Sequence, residues 1–235
     1  MRCYDWGAGV TAPAIACPPA ALDIYDRALA RAATGAGTTL LVRDPAGRTT
    51  RFDAADWCRD HRPGDTRLLD RCTGATLDVG CGPGRLTGAL LRRGRAALGI
   101  DVSAAAVRLA RARGALALRR DVFAPLPGHG RWDHLLLADG NIGIGGDPVA
   151  LLRRCHELLA PAGRVHAELA APGTGSWSGA ATLHTPGEPA GAPLRWAQVA
   201  ADDLAAVARE AGLTVLSTWT EEGRWFASLT GRGAR

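Results

Sequence analysis

From residue 76 onward the chain alternates short apolar runs with longer amphipathic ones. Thr76–Gly80, Ala96–Ile100, Ala115–Arg119, Trp132–Ala138 and Arg164–Ala170 are rich in Leu, Val, Ile and Ala. Continuous apolar runs of this length predict strands buried on both faces. Between them lie stretches with helical spacing: 85–93 stopping at Gly94, a segment opened by Ser103 and stopped at Gly114, and one opened by Asp147-Pro148 and running to Leu159. Ser and Asp cap helix N-termini, Pro suits a first turn, and Gly accepts the left-handed conformation that ends a helix. A helix over Asp202–Ala211 then precedes Leu213–Thr220 and Arg224–Thr230, joined by Glu221-Glu222-Gly223 as a terminal hairpin. Strands alternating with helices predict an α/β fold with a parallel sheet and right-handed crossovers. The hairpin makes one strand antiparallel.

Upstream the pattern changes. Residues 1–19 are rich in Gly, Ala, Pro and Cys without periodicity, which predicts loop or disorder. Leu22, Ile24, Tyr25, Leu29 and Ala33 give a helical stripe over Ala20–Ala33. Thr38–Arg43 and Arg48–Phe52 flank Asp44-Pro45-Ala46-Gly47, the chemistry of a β-hairpin. Residues 53–73 read as helical pieces broken at Pro63-Gly64. The whole of 1–73 is expected to be an extension packed against a second unit, 74–235. The connection Ala171–Leu194 is too long for an ordinary turn and is expected to be a functional loop.

Composition narrows the function classes. All 28 basic residues are arginine, and the net charge of +5 is spread over scattered or paired sites such as Arg92-Arg93 and Arg119-Arg120. Nucleic-acid binding needs basic residues clustered on one face, so nucleic acid is not the expected partner. The six cysteines have no paired metal-ligand spacing, so no metal is expected and reduced thiols are the simpler reading. The start of the chain lacks a basic region followed by a long apolar core, and no apolar run reaches the ~18 residues of a membrane span. A cytoplasmic location without membrane attachment is the expectation.

The chemistry gathers at Thr76-Leu77-Asp78-Val79-Gly80-Cys81-Gly82-Pro83-Gly84-Arg85-Leu86. A strand runs into a turn with glycine at every second position, and a helix opens after it. Glycine lets a ligand touch bare backbone there, and the new helix offers unpaired N–H groups. Seventeen residues beyond Gly84, at the end of the next strand, stands Asp101, where a ribose-binding acid would fall. Dinucleotide-binding folds use Gly-x-Gly-x-x-Gly so that a pyrophosphate can approach. Here Arg85 occupies the place of their third glycine, which argues against a nicotinamide cofactor.

Asp78-Val79-Gly80-Cys81-Gly82-Pro83-Gly84, followed by Gly99-Ile100-Asp101-Val102-Ser103, closely resembles the class I S-adenosylmethionine-dependent methyltransferases. The resemblance runs from about Leu68 to the C-terminus. It implies a Rossmann-like, seven-stranded, mostly parallel sheet with helices on both faces, and S-adenosylmethionine as cofactor. It further implies that Gly80, Cys81, Gly82 and Gly84 form the cofactor loop, that Asp78 orders it, and that Asp101 and Val102 meet the ribose. Asp121 and Val122 would face the adenine, and Asp139, Gly140 and Asn141 the methionine part. Tyr25 resembles tyrosines that cover the cofactor in small-molecule members. Methyl transfer to oxygen or nitrogen can also need a base. His184, in the long connection, and Glu168, late in the strand before it, are the candidates by position. The expected function is methylation of a small-molecule hydroxyl or amine, of natural-product or sugar type. A non-catalytic cofactor-binding subunit and an RNA methyltransferase are the alternatives.

Overall fold

The computed structural model describes residues 17–188 and 191–231, so most of the loop expected over 1–19 lies outside the described residues. The described chain opens with α1 (Pro19–Ala33), which has its proline in the first turn and buries Ala21, Ile24, Ala28, Leu29 and Ala32. The expected hairpin follows as β1 (Thr39–Arg43) and β2 (Thr49–Asp53), then two short helices, α2 (Ala54–Cys58) and α3 (Thr66–Arg71). The alternating region supplies β3 (Thr76–Val79), α4 (Arg85–Arg92), β4 (Ala97–Asp101), α5 (Ala104–Ala112), β5 (Ala117–Arg119) and β6 (Trp132–Leu137). A 3-10 segment over Asn141–Gly146 leads into α6 (Pro148–Leu158) and β7 (Leu159–Leu169). The remainder is β8 (Trp177–His184), β9 (Ala192–Gln198), α7 (Leu204–Glu210), β10 (Leu213–Glu221) and β11 (Arg224–Gly231).

Seven strands form the main sheet in the order β10-β11-β7-β6-β3-β4-β5. The pairs β3–β4, β3–β6, β4–β5 and β6–β7 are parallel, whereas β11 runs antiparallel to β7 and to β10. The seven-stranded sheet with one antiparallel strand is the expected one. Its apolar runs are buried because helices cover both faces. Leu77, Val79, Leu135, Leu137 and Val165 pack with α6 and α7 on one side. Leu136 and Phe226 pack with Leu68 and Leu69 of α3 and Leu86 and Leu90 of α4 on the other. The helix caps are those the sequence predicts: Ser103 Oγ accepts from Ala106 N–H at 2.9 Å, and Asp147 Oδ1 from Ala150 N–H at 3.0 Å.

The long connection is where the structure departs from expectation. Ala171–Leu194 is not one loop: β8 and the start of β9 lie there, and β8 pairs with β1. The result is a four-stranded antiparallel sheet in the order β2-β1-β8-β9. Half of this sheet comes from each side of the boundary expected at 73/74. α3 likewise packs into the main sheet. The register places Leu40, Val42, Phe52, Trp177, Gly179, Ala181, Leu183, Leu194 and Trp196 on one face. Several of these form an apolar cluster with α1.

Candidate functional site

A cavity of about 710 Å3 opens at the carboxyl ends of β3, β4, β5 and β6, between the main sheet and the four-stranded sheet. Ligands bind at this edge of open α/β sheets because loops of opposite crossover diverge there. The floor is Asp78, Gly80, Cys81 and Gly82; Asp101 and Val102 follow from β4, Asp121 and Val122 from beyond β5, and Asp139 and Asn141 from beyond β6. Tyr25 of α1 lines it from above. These eleven expected cofactor residues are thus brought together from five separate parts of the chain.

Gly80 and Gly82 have φ of +71° and +52°. A Cβ on Gly80 would meet Asn141 Nδ2 at 2.7 Å, and one on Gly82 would meet the Tyr25 hydroxyl at 3.2 Å. Side chains there would therefore fill the cradle. Asn141 braces the turn by donating from Nδ2 to the carbonyls of Val79 and Gly80, each at 2.9 Å. Asp101 is 6 % exposed. Its Oδ2 accepts from Gly82 N–H at 3.0 Å and its Oδ1 from Ser103 N–H at 2.8 Å. Burial nevertheless pushes its carboxyl up to about 6, against those hydrogen bonds. Asp78 is also pushed up to about 6 by burial, opposed by hydrogen bonds from Thr87, whose hydroxyl donates to its Oδ2 at 2.7 Å.

Two expected loop glycines stand elsewhere. Gly84 does not line the cavity; a Cβ on it would lie 2.8 Å from Ala115 Cβ and 2.9 Å from Ala110 Cβ. Its small size lets the turn and α4 approach α5 and the segment after it. Gly140 lines an adjoining chamber of about 220 Å3, as Glu168 does.

Neither expected base is placed to take a proton from a molecule in the larger cavity. His184 pairs with Leu41 on the outer face of the four-stranded sheet, while Leu183 beside it faces the cavity. Alternation along a strand decides this. Glu168 is held at both oxygens: Arg224 Nε donates to Oε1 at 2.9 Å, and Arg224 Nη2 and Asp139 N–H donate to Oε2 at 2.7 and 2.6 Å.

The sequence reading missed the ion network behind these residues. Arg85, 3 % exposed, pairs with Asp65 and Asp139. Arg224 pairs with Asp65, Asp139 and Glu168, and Arg62 reaches Asp139 at 2.8 Å. One local sign existed: a cation in the first turn of a helix, as Arg85 is in α4, opposes the helix dipole and needs a reason. Its Nε–H is buried without a hydrogen-bond partner, and Arg85 lines the cavity. The partners at 65, 139 and 224 are too distant in sequence to leave a signal. The reading also missed Phe52, Trp57, Leu183, Leu194 and Trp196, which line the cavity opposite the glycine turn.

Cys17, Cys58, Cys72, Cys81 and Cys155 are free; Cys3 lies outside the described residues. Among the described residues no helix is long and apolar enough to cross a membrane.

The sheet order, the glycine turn after β3 and the buried acid ending β4 together define the class I methyltransferase fold. Residues 76–163 match the family model described as a methyltransferase domain. Comparison with curated protein sequences gives no match. Among solved structures, an S-adenosylmethionine-dependent methyltransferase from Bacteroides fragilis, in complex with S-adenosyl-L-homocysteine, is similar at 23% identity and a TM-score of 0.74. That similarity covers 92% of this chain and 98% of the other. The CcbJ methyltransferase from Streptomyces caelestis is similar at 16% identity and a TM-score of 0.59, over 75% of this chain and 94% of the other. A Burkholderia thailandensis 1,6-didemethyltoxoflavin-N1-methyltransferase is similar at 20% identity and a TM-score of 0.52, over 74% and 79%. At these identities the likeness is one of fold.

Proposed function

We propose that the protein transfers a methyl group from S-adenosylmethionine to a small-molecule acceptor, at oxygen or nitrogen. The observation that carries this is one cavity with two unlike sides. Glycine backbone and buried carboxyls line one, and the apolar face of the four-stranded sheet lines the other.

The residues present fit the cofactor. Gly80 and Gly82 leave room that any Cβ would take. Asp101 is a buried carboxyl whose remaining acceptor capacity suits two vicinal hydroxyls. The buried, unpartnered Nε–H of Arg85 suits the carboxylate of an amino-acid moiety. Asp121 and Val122 line the cavity, and in this reading they meet the adenine amino group and ring nitrogen. Asp139, also in the lining, meets the ammonium. When bound, the cofactor supplies a methyl group activated on a sulfonium.

The protein's part is then to hold the acceptor in line with that group and to keep water out, which is where alignment lowers a barrier. Asn141 holds the turn by its two carbonyl contacts, and Tyr25 covers Gly82. With Glu168 held by Arg224 and His184 on the outer face, alignment rather than proton transfer carries the reading.

Calorimetry with S-adenosylmethionine, S-adenosylhomocysteine and NAD tests it. The first two should bind and NAD should not, and incubation with an accepted small molecule should release S-adenosylhomocysteine. Tight NAD binding, or no binding of either sulfur compound, would sink the reading.

A further inference from the structure

The chain has seven Trp, three Phe and two Tyr. Tyr25, Phe52, Trp57, Trp177 and Trp196 are gathered in one cluster around the cavity roof, and all five are only partly buried. Tyr25 and Trp57 meet edge to face at 5.7 Å between centroids, and Phe52 lies 6.1 Å from Trp57. Half-covered aromatic faces inside a concave site are apolar surface still in water, and an aromatic occupant in offset or edge-on contact covers them best.

Val42, Phe52, Asp139 and Trp196 line both the larger cavity and the chamber of about 220 Å3, where Trp177 stands. Leu40 and Leu194 add hydrocarbon beside them, while Thr50, Gln198 and Arg195 add polar groups. The charged groups at the chamber floor already answer one another: Arg62, Arg85 and Arg224 face Asp65, Asp139 and Glu168. Arg51 in the chamber and Arg195 in the larger cavity make no such pair among the described residues.

We propose that the acceptor is a planar aromatic molecule, bound against Phe52, Trp177 and Trp196 where the cavity meets the smaller chamber. This rests on the methyltransferase reading of the same cavity and names its substrate class.

The test uses 2-naphthol as probe, followed by tryptophan fluorescence on the full-length protein, free and saturated with S-adenosylhomocysteine. Methyl β-glucoside serves as the polyhydroxylated, non-aromatic comparator. 2-Naphthol should bind and methyl β-glucoside should bind at least about tenfold more weakly. Trp177→Ala should weaken 2-naphthol about tenfold, Trp177→Phe should restore most of it, and both should bind S-adenosylhomocysteine as the wild type does. Methyl β-glucoside binding as tightly as 2-naphthol, or both variants binding 2-naphthol as the wild type does, would overturn the proposal. If S-adenosylhomocysteine itself does not bind, the methyltransferase reading fails, while the 2-naphthol titration of the free protein still decides the aromatic site.

Discussion

Asp101 shows how one carboxyl ties the site to pH. Burial favours its protonated form up to about 6, whereas hydroxyl groups donating to it favour the carboxylate. Cofactor binding should therefore weaken as pH falls through about 6, since part of the binding energy goes to removing that proton. Asp101→Ala should weaken S-adenosylhomocysteine by about 1–3 kcal/mol at pH 7.5 and flatten the pH dependence. Calorimetry at several pH values decides, and an unchanged affinity in the variant would remove Asp101 from the ribose role. A second titrating unit lies in the sheet itself. His134 Nδ1 and His166 Nε2 are 3.0 Å apart, and His166 Nδ1 is 2.8 Å from Ser228 Oγ. Burial first, then the neighbouring His134, pushes His166 down to about 3. An unfolded histidine takes its proton near 6.5. The stability this neutral pair contributes is complete above that value and is lost as pH falls from about 6.5 toward 3. Asp78 and Asp101 act with the opposite sign, because the folded state holds their protons up to about 6. Urea midpoints between pH 7.5 and 5 should thus fall less steeply in His166→Gln than in the wild type. Parallel slopes would show that the pair does not govern acid stability.

At the scale of elements, β8 is the piece that turns two hairpins into one roof. It pairs with β1 on one side and β9 on the other, so its loss would leave two isolated two-stranded ribbons, marginal by themselves. Leu183 is 7 % exposed and faces the cavity. Leu183→Asp should open the roof while leaving the main sheet folded, because an unpaired charge would be buried there. Hydrogen exchange should then show faster exchange at β1 and unchanged protection at β3 and β4. Equal protection of β1 in both proteins would mean the roof does not depend on this contact. The strand pattern was hard to read in Ser176–His184 because Gly, Ala and Ser carry much of it. Small residues there fit opposite Leu194 and Trp196, but alone they resemble a loop.

Over the whole molecule, the ion network fastens parts distant in sequence: Asp65 before α3, Arg85 at the start of α4, Asp139 after β6, Glu168 in β7 and Arg224 at the start of β11. These side chains are 1–16 % exposed. Removing one member leaves the others charged and buried, so Arg224→Met should destabilise the fold by about 3–5 kcal/mol. Chemical denaturation measures this, and a loss below about 1 kcal/mol would class the network as no stronger than a surface pair. The same variant frees Glu168 from its main partner and should not by itself confer a new base role, since Asp139 N–H still donates to Glu168 Oε2.

The alternation of strands and helices, the caps and the glycine turn were determined by the sequence alone. Their signals are local: apolar runs of strand length, Ser103 and Asp147 as caps, Gly80 and Gly82 in a strand-to-helix turn, and Asp101 one strand on. The terminal hairpin was legible for the same reason. Only the tertiary structure decided that Gly84 packs against Ala110 and Ala115, that His184 and Leu183 take opposite faces of their strand and that Glu168 is held by Arg224. It alone decided that the aromatic roof joins residues near 50 to residues near 190. Which face a strand residue takes depends on its pairing register, and a buried charge depends on partners up to 159 residues away. Neither is encoded within the few residues around it.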